Sequence, residues 1–177
     1  WERVDLFLGD ERWVDLSNEL SNSLMIKNTF SFNSQVSKPS FHFVPTTQFE
    51  SPQKSAEEYE KILKKYCNSN SYLFDLMLLG LGEDGHTASL FPYSSSINVI
   101  DRLTTVGEGK GNQRISLTHP ALSSAKKIIF LISGSSKKTS LKRLLDPTES
   151  SERTPAKLVK SSHEILILAD YAACEFI

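Results

Sequence analysis

One apolar stretch, FDLMLLGL at Phe74–Leu81, decides the fold of this chain. Its nearly continuous apolar character is typical of a strand that is buried on both faces, as in a parallel sheet covered by helices. Other stretches of similar character predict five more strands, at Val4–Gly9, Phe41–Val44, Gln113–Thr118, Lys127–Ser133 and Glu164–Ala169. The chain therefore contains the strands of a mostly parallel sheet.

Helical patterns lie between these strands. In Pro52–Tyr66 the apolar residues recur every three or four positions, with Ser51 as a candidate N-cap and proline as the first helical residue. Further helices are predicted at Asn18–Lys27, Pro120–Lys126 and Ser136–Leu145. The alternation of strands and helices indicates an α/β fold with a mostly parallel central sheet flanked by helices. In such folds ligands bind where the carboxyl ends of the strands lead into turns, so the residues after each strand are the first candidates for a site.

Length and composition exclude several classes of protein. The 177 residues suit one domain, and a hydrophobic content of 39% is enough to build a core. The net charge of -1 gives no general attraction to nucleic acid or to an anionic membrane, and the apolar runs are too short to span a bilayer. The two cysteines, Cys67 and Cys174, lack metal-ligand or redox spacing, so we expect a reducing compartment and a cytoplasmic protein.

The turn after Phe74–Leu81 carries the most specific chemistry. Three glycines, at positions 80, 82 and 85, allow the backbone to turn tightly and to approach a ligand closely. Asp84 and His86 follow one another at this edge of the predicted sheet. A neutral imidazole is a natural general base near neutral pH, and a neighbouring carboxylate can orient it and stabilise its charged form.

Two other interpretations of this turn are possible. The glycines match the G-x-G-x-x-G pattern of dinucleotide-binding proteins, but that pattern should open a long helix. Here Pro92 follows too soon, and no second strand with an acidic end appears at the expected distance. The structural alternative treats His86 as a capping residue without a catalytic role.

Two further strands also carry charge, one at its exit and one near its start. Gly9–Arg12 is expected to be a charged turn, either solvated or placing Asp10 and Arg12 at the edge where a ligand binds. Arg114 lies inside a predicted buried strand, where an arginine is unfavourable unless it is paired. It either reaches solvent at a sheet edge or holds a phosphate or carboxylate in a bidentate grip.

A fourth candidate follows the strand at Lys127–Ser133. Gly134–Lys138 opens a predicted helix with two hydroxyls and a lysine, which suits an anion site or simple capping. Metal binding is not expected, because the remaining histidines are scattered and no pair has the spacing of a zinc helix.

One enzyme family carries similar segments in the same order. Gly9–Val14 (GDERWV) resembles its DERxV segment, and Gly80–Pro92 (GLGEDGHTASLFP) resembles its GxGxDGHTASLFP signature. Gln113–Thr118 and Gly134–Lys137 are similar to two further segments. By this resemblance the chain is identified as a member of the glucosamine-6-phosphate isomerase/6-phosphogluconolactonase superfamily, in its 6-phosphogluconolactonase branch.

Two of these segments separate the branches of the superfamily. The isomerase/deaminase branch typically has DEY and DGHIAFNEP, whereas Arg12 and Thr87–Pro92 favour the lactonase branch. The resemblance implies a Rossmann-like three-layer sandwich of the NagB/RpiA type, with one α/β domain over residues 1–177 and no cofactor. It also implies hydrolysis of 6-phospho-D-glucono-1,5-lactone to 6-phosphogluconate, the second step of the oxidative pentose phosphate pathway.

The resemblance assigns roles to individual residues. It implies that His86 is the base that activates water and that Asp84 orients or polarises its ring or supports its loop. It also implies that Arg12 stands where negative charge develops or where the substrate is steered. The remaining family positions are expected to bind the substrate: Asp10, Gly82, Gly85, Arg114, Ser135 and Lys137. Among these, Arg114 and Lys137 would hold the phosphate together with the helix that opens at Ser135.

One family feature has no counterpart here. Family members usually also have an upstream strand and a Ser-Gly-Gly-Ser-Thr-Pro-like loop that holds phosphate, so we expect this sequence to lack the N-terminal strand and phosphate loop. Two alternatives stay open, namely a glucosamine-6-phosphate isomerase/deaminase and a non-catalytic sugar-phosphate-binding protein. The expected partner is a small phosphorylated sugar lactone, with no nucleic acid and no membrane, and the protein is expected to be a monomer or weak oligomer.

Overall fold

The computed structural model describes residues 1–30, 38–67 and 72–175. Its strands are β1 (Asp5–Phe7), β2 (Asp10–Arg12), β3 (Ser40–His42), β4 (Phe74–Leu79), β5 (Thr104–Gly109), β6 (Asn112–Leu117), β7 (Ala125–Ile132) and β8 (Ile165–Ala169). Its α-helices are α1 (Asn22–Thr29), α2 (Pro52–Tyr66), α3 (His119–Ser123), α4 (Lys138–Leu145) and α5 (Tyr171–Cys174). The prediction of an α/β fold with parallel strands and flanking helices is confirmed.

The parallel part of the fold has β7 at its centre. This strand pairs with β4 on one side and β8 on the other, and β1 pairs with β3 in a second parallel ladder. One face of the β4–β7–β8 sheet is buried in the core through Met77, Leu79, Ile128 and Phe130. The apolar runs of the sequence form these strands because each supplies side chains to that core.

The opposite face of the same sheet is exposed, which corrects the expectation of burial on both faces. Leu76, Leu78, Leu131, Leu166 and Leu168 are each between 40% and 55% exposed. They share one face, because Leu78 and Leu166 both pair in register with Ile129 of the central strand, and side chains alternate along a strand. A continuous apolar run cannot reveal which of its two faces is covered.

The strand predicted at Gln113–Thr118 lies in an antiparallel sheet and not in the parallel one. It is observed as β6 and pairs with β2 on one side and β5 on the other. The hairpin between β5 and β6 has a two-residue turn, Lys110–Gly111, with positive φ at both positions, as the twist of a tight hairpin requires. The β5 strand was not predicted, because its sequence TTVGEG has two glycines and almost no apolar content.

The segment Gly9–Arg12 is not a turn, as was expected, because most of it forms β2. This strand pairs antiparallel with β6, with Asp10 opposite Ser116 and Arg12 opposite Arg114. The strand was not predicted, because none of its three charged residues, DER, has a high strand propensity.

The helix α2 agrees with its prediction at both ends. The Ser51 hydroxyl accepts a hydrogen bond from the Lys54 N–H, and Pro52 occupies the first turn. Its buried face includes Tyr59, whose hydroxyl donates to the Leu8 carbonyl at 2.8 Å and so ties the helix to the end of β1. None of the helices in the described ranges has the length and apolar character to cross a bilayer.

Candidate active site

A cavity of about 350 Å³ lies where several strands end. Its wall combines Gly9 after β1, residues of β2, the glycine-rich turn after β4, Arg114 of β6 and Lys137 before α4. The carboxyl ends of the parallel strands β1, β4 and β7 meet here, which is where α/β folds bind ligands.

The turn after β4 is held in shape by its own backbone. The Thr87 hydroxyl donates to the Gly80 carbonyl at 2.8 Å, and the Gly82 N–H donates to the His86 carbonyl at 2.8 Å. Residues 80–94, all of which the structure describes, form no helix, whereas a dinucleotide-binding turn opens a long one. Ala88 has a φ of 47°, a conformation that non-glycine residues adopt rarely and that often marks a functional site.

His86 and Asp84 form the hydrogen-bonded pair that the sequence predicts. The imidazole Nδ1 lies 2.5 Å from the Asp84 carboxylate, which also accepts the His86 backbone N–H at 3.1 Å. Because a carboxylate only accepts hydrogen bonds, the neutral form of this imidazole carries its proton on Nδ1 and its lone pair on Nε2. Burial works to raise the pKa of the Asp84 carboxyl, but its hydrogen bonds with His86 outweigh burial and lower that pKa below its ordinary value.

Gly82 makes room for this pair. A Cβ at position 82 would lie 2.0 Å from the His86 Nδ1 and 2.6 Å from the Asp84 Oδ1, far inside van der Waals contact. The glycine therefore serves close packing of the imidazole against the backbone. His86 itself lines the cavity, whereas Asp84 supports it from outside the lining.

An aromatic ring connects His86 to Arg114. The centre of the Phe91 ring lies 4.6 Å from that of the imidazole and 5.5 Å from the Arg114 guanidinium carbon. The ring fits only because Gly109 has no side chain, since a Cβ there would lie 2.2 Å from a Phe91 ring carbon.

Arg12 and Arg114 face each other across the β2–β6 pair. Like charges directly opposite one another on neighbouring strands repel. Water screens this repulsion little, because Arg114 is only 6% exposed. Both line the cavity, so an anion bound there would relieve the repulsion. Burial, and secondly the charge of Arg12, lower the pKa of the Arg114 guanidinium below its ordinary value.

Asp10 partly balances this charge. Its carboxylate lies 3.7 Å from the Arg114 Nη1 and accepts a hydrogen bond of 2.5 Å from the buried Ser89 hydroxyl. It therefore links the glycine-rich turn to the antiparallel sheet while lining the cavity.

Three of the predicted binding residues occupy different places relative to the cavity. Lys137 lines it, at the end of a short 3-10 turn that follows β7. Ser135, at the start of that turn, is exposed and does not line the cavity. Gly85 also lies outside the lining; its φ is +97°, and a Cβ there would lie 3.1 Å from Thr154.

Two polar residues of the cavity wall lie outside the motifs that the sequence analysis singled out. Asn22 begins α1 just after its cap, and Lys110 lies in the tight hairpin turn. The Ser21–Asn22 cap and the Lys110–Gly111 dipeptide were the available signals, but neither acquires a function until tertiary pairing places it beside Arg12 or Arg114. With Lys110, four cationic side chains line the cavity against one carboxylate, Asp10.

The described residues contain no group of three His, Cys, Asp or Glu side chains placed to bind a metal ion. The cavity instead combines a histidine that Asp84 holds through Nδ1 with an excess of positively charged side chains. These features suit an acid–base site for a small anionic ligand in an α/β protein.

Comparisons with known proteins agree with this class. The 6-phosphogluconolactonase of Nostoc sp. is 36% identical over 176 residues, which cover 98% of this chain and 73% of that protein. The solved 6-phosphogluconolactonase of Thermotoga maritima is 30% identical with a TM-score of 0.79, and the match covers 96% of this chain and 73% of that one. That of Trypanosoma brucei is 25% identical with a TM-score of 0.81, over 96% of this chain and 72% of that one.

The model of one family, glucosamine-6-phosphate isomerases/6-phosphogluconolactonase, matches residues 1–168. The chain belongs to this family.

Proposed function

We propose that this chain is an enzyme that hydrolyses 6-phospho-D-glucono-1,5-lactone to 6-phosphogluconate, a reaction of the oxidative pentose phosphate pathway. One observation carries the proposal: a carboxylate-oriented histidine shares a cavity with two facing arginines. The similarity to 6-phosphogluconolactonases over nearly the whole chain supports it.

The histidine supplies the proton transfers. Its Nε2 accepts a proton from water while the water oxygen forms a bond to the lactone carbonyl carbon. When the tetrahedral intermediate collapses, the bond from that carbon to the ring oxygen breaks, and His86 returns the proton to the ring oxygen. Asp84 holds the imidazole by Nδ1 and stabilises its charged form between the two steps.

The residues of β2 are assigned to the reacting end of the substrate. Arg12 stabilises the negative charge that develops on the carbonyl oxygen, and its buried Nε has no hydrogen-bond partner in the described structure. Asp10 accepts hydrogen bonds from sugar hydroxyls, and Gly82 allows the substrate to approach the backbone.

The remaining cations are assigned to the phosphate. Arg114 is held rigidly by its hydrogen bond to the Gly109 carbonyl at 3.2 Å and by the Phe91 ring, so it loses little freedom when it binds an anion. Lys137 joins it from the strand β7 side, and Lys110 from the hairpin. Gripping a remote phosphate lets binding energy position the carbonyl at His86. Gly85 and Ser135 then contribute through the shape of their turns.

We also propose a cellular location and an oligomeric state for the enzyme. Both cysteines, Cys67 and Cys174, are free, which supports a cytoplasmic location because a reducing compartment keeps thiols unpaired. We expect a monomer or weak oligomer, which sedimentation velocity at several concentrations would check.

A hydrolysis assay with two histidine variants tests the function. Acid release from the phosphorylated lactone is followed above its spontaneous rate for the wild type, for His86→Ala and for His163→Ala. His163 is the matched control, because its exposed ring bonds to Tyr72 and does not line the cavity. We expect His86→Ala to lose about 10²-fold or more in turnover, and the control to stay within about twofold.

Other results would change the assignment. Near-normal turnover by His86→Ala would remove this histidine from the mechanism. Ammonia release from glucosamine 6-phosphate would reassign the chain to the isomerase/deaminase branch of its family. Binding of 6-phosphogluconate without turnover of the lactone would leave a sugar-phosphate-binding protein.

A further inference from the structure

A fully buried carboxylate lies directly behind the cavity. Side chains alternate along β2, so Asp10 and Arg12 face the cavity while Glu11, between them, points to the other side. Glu11 has no exposed surface, and the proposed reaction does not use it.

Glu11 accepts five hydrogen bonds, all from uncharged groups. Its Oε1 accepts the Arg12 N–H at 2.9 Å and the Asn22 N–H at 2.7 Å. Its Oε2 accepts the Ser23 N–H and hydroxyl, both at 2.7 Å, and the Ser21 hydroxyl at 3.1 Å. These bonds use the whole acceptor capacity of a carboxylate and fasten β2 to the first turn of α1.

The segment that Glu11 holds is the one that holds Arg12. The Arg12 Nη1 donates to the Leu20 carbonyl at 2.5 Å, immediately before the three residues bound to Glu11. Asn22 returns to the strand, because its Nδ2 donates to the Asp10 carbonyl at 2.9 Å. The β2 strand is three residues long, so its own ladder provides few bonds to fix the guanidinium.

We propose that Glu11 is a positioning residue: by holding residues 20–23 it fixes the Arg12 guanidinium in the cavity. The proposal deepens the proposed function, on which it rests for the role of Arg12. It requires a carboxylate at position 11, because an amide would turn an NH2 group toward backbone and hydroxyl donors.

The first test compares Glu11→Gln with Glu60→Gln. Glu60 is the matched control, since its carboxylate also accepts backbone N–H groups, those of Leu103 and Thr104 at 3.0 and 3.3 Å, but between α2 and β5 away from the cavity. We expect Glu11→Gln to lower kcat at least about tenfold, because a misplacement of 1 Å can cost 10²-fold. KM should change by less than about threefold, and Glu60→Gln should leave kcat within about twofold at a similar loss of Tm.

The second test repeats Glu11→Gln in an Arg12→Ala background. If Glu11 acts through Arg12, the substitution should change kcat by less than about twofold there, since the guanidinium it positions is gone. An equal loss of kcat in both backgrounds, or an equal loss in Glu60→Gln, would overturn the proposal. Ser23→Ala, which removes one hydroxyl donor to Glu11, provides the same comparison if Glu11→Gln does not fold.

A binding measurement separates this proposal from the proposed function. Calorimetry with 6-phosphogluconate gives the same four-variant cycle without turnover. Weaker binding by Glu11→Gln only when Arg12 is present would support the positioning role even if the lactone is not hydrolysed. Hydrolysis by the wild type with equal effects in both backgrounds would refute the positioning role and leave the proposed function intact.

Discussion

Adding one methyl group at Gly82 should disable the histidine without unfolding the protein. In Gly82→Ala the new Cβ would lie 2.0 Å from the His86 Nδ1 and 2.6 Å from the Asp84 Oδ1. Ordinary contact begins at 3.4 Å, so the His86 ring must move by about 1.4 Å and the Asp84 carboxylate by about 0.8 Å. Both atoms belong to side chains, and the Gly82 φ lies outside the left-handed region, so the strain is relieved by displacing the pair and not the backbone of the turn.

The expected loss follows from what the displaced pair does. Moving His86 breaks its 2.5 Å bond to Asp84 and takes Nε2 away from the water that the proposed mechanism has it activate. A positioned general base contributes about 10²–10⁴ in rate, so the activation free energy should rise by about 3–5 kcal/mol. The free energy of unfolding should change by no more than about 1 kcal/mol, the typical effect of one substitution.

The test measures kcat for hydrolysis of the phosphorylated lactone by Gly82→Ala, by His86→Ala and by the double variant. The double variant should be no slower than His86→Ala alone, because both changes remove the same group. Gly80→Ala is the control, because its Cβ would meet nothing within 4 Å. It shows how far a methyl group in this turn by itself changes the Tm of the protein. Wild-type kcat in Gly82→Ala, or losses that multiply in the double variant, would refute the reasoning.

Three further predictions concern the same cavity. Gly109→Ala should lower kcat by about 10–10²-fold, because its Cβ would displace the Phe91 ring that contacts His86 and Arg114. An unchanged kcat would show that the Phe91 ring does not position these two side chains. Asp84→Asn should be less stable than the wild type at pH 6, with the difference lost at low pH. The folded-state pKa of Asp84 is lowered, so its stabilisation is present above the unfolded pKa of about 3.9 and disappears as pH falls through the folded value. Urea unfolding at pH 6 and pH 3 checks this, and an equal deficit at both would contradict it. Lys137→Ala should raise KM for the phosphorylated lactone by about 10–100-fold, which corresponds to the free energy of one hydrogen bond to a charged group, and should leave KM for the unphosphorylated lactone unchanged. Equal effects on both KM values would show that Lys137 does not contact phosphate.

Local sequence patterns were sufficient for a large part of the site. The apolar run ending at Leu79, the glycines after it and the neighbours Asp84 and His86 lie within a dozen residues, so their arrangement depends on short-range geometry. The helix α2 was predictable for the same reason, because Ser51 and Pro52 fix its first turn from within the helix itself.

Tertiary structure decided what those patterns left open. Whether Gly9–Arg12 is a turn or a strand depends on β6, a hundred residues away in the chain, which pairs with it and brings Arg12 opposite Arg114. The same pairing turns Glu11 into the core and gives Asn22 and Lys110 a place in the cavity wall. Which face of β4, β7 and β8 is covered was equally hidden, since both faces are apolar in the sequence.

One physical cause separates the features that the sequence determines from those that the tertiary structure decides. A sequence determines directly those features whose energy comes from near neighbours, such as caps, tight turns and the hydrogen bond between Asp84 and His86. Strand pairing, burial and the meeting of like charges depend on contacts between distant segments. The pairing of Asp84 with His86 was therefore visible in the chain itself, whereas the cationic wall of the cavity exists only once β2, β6 and the Lys110–Gly111 hairpin have come together.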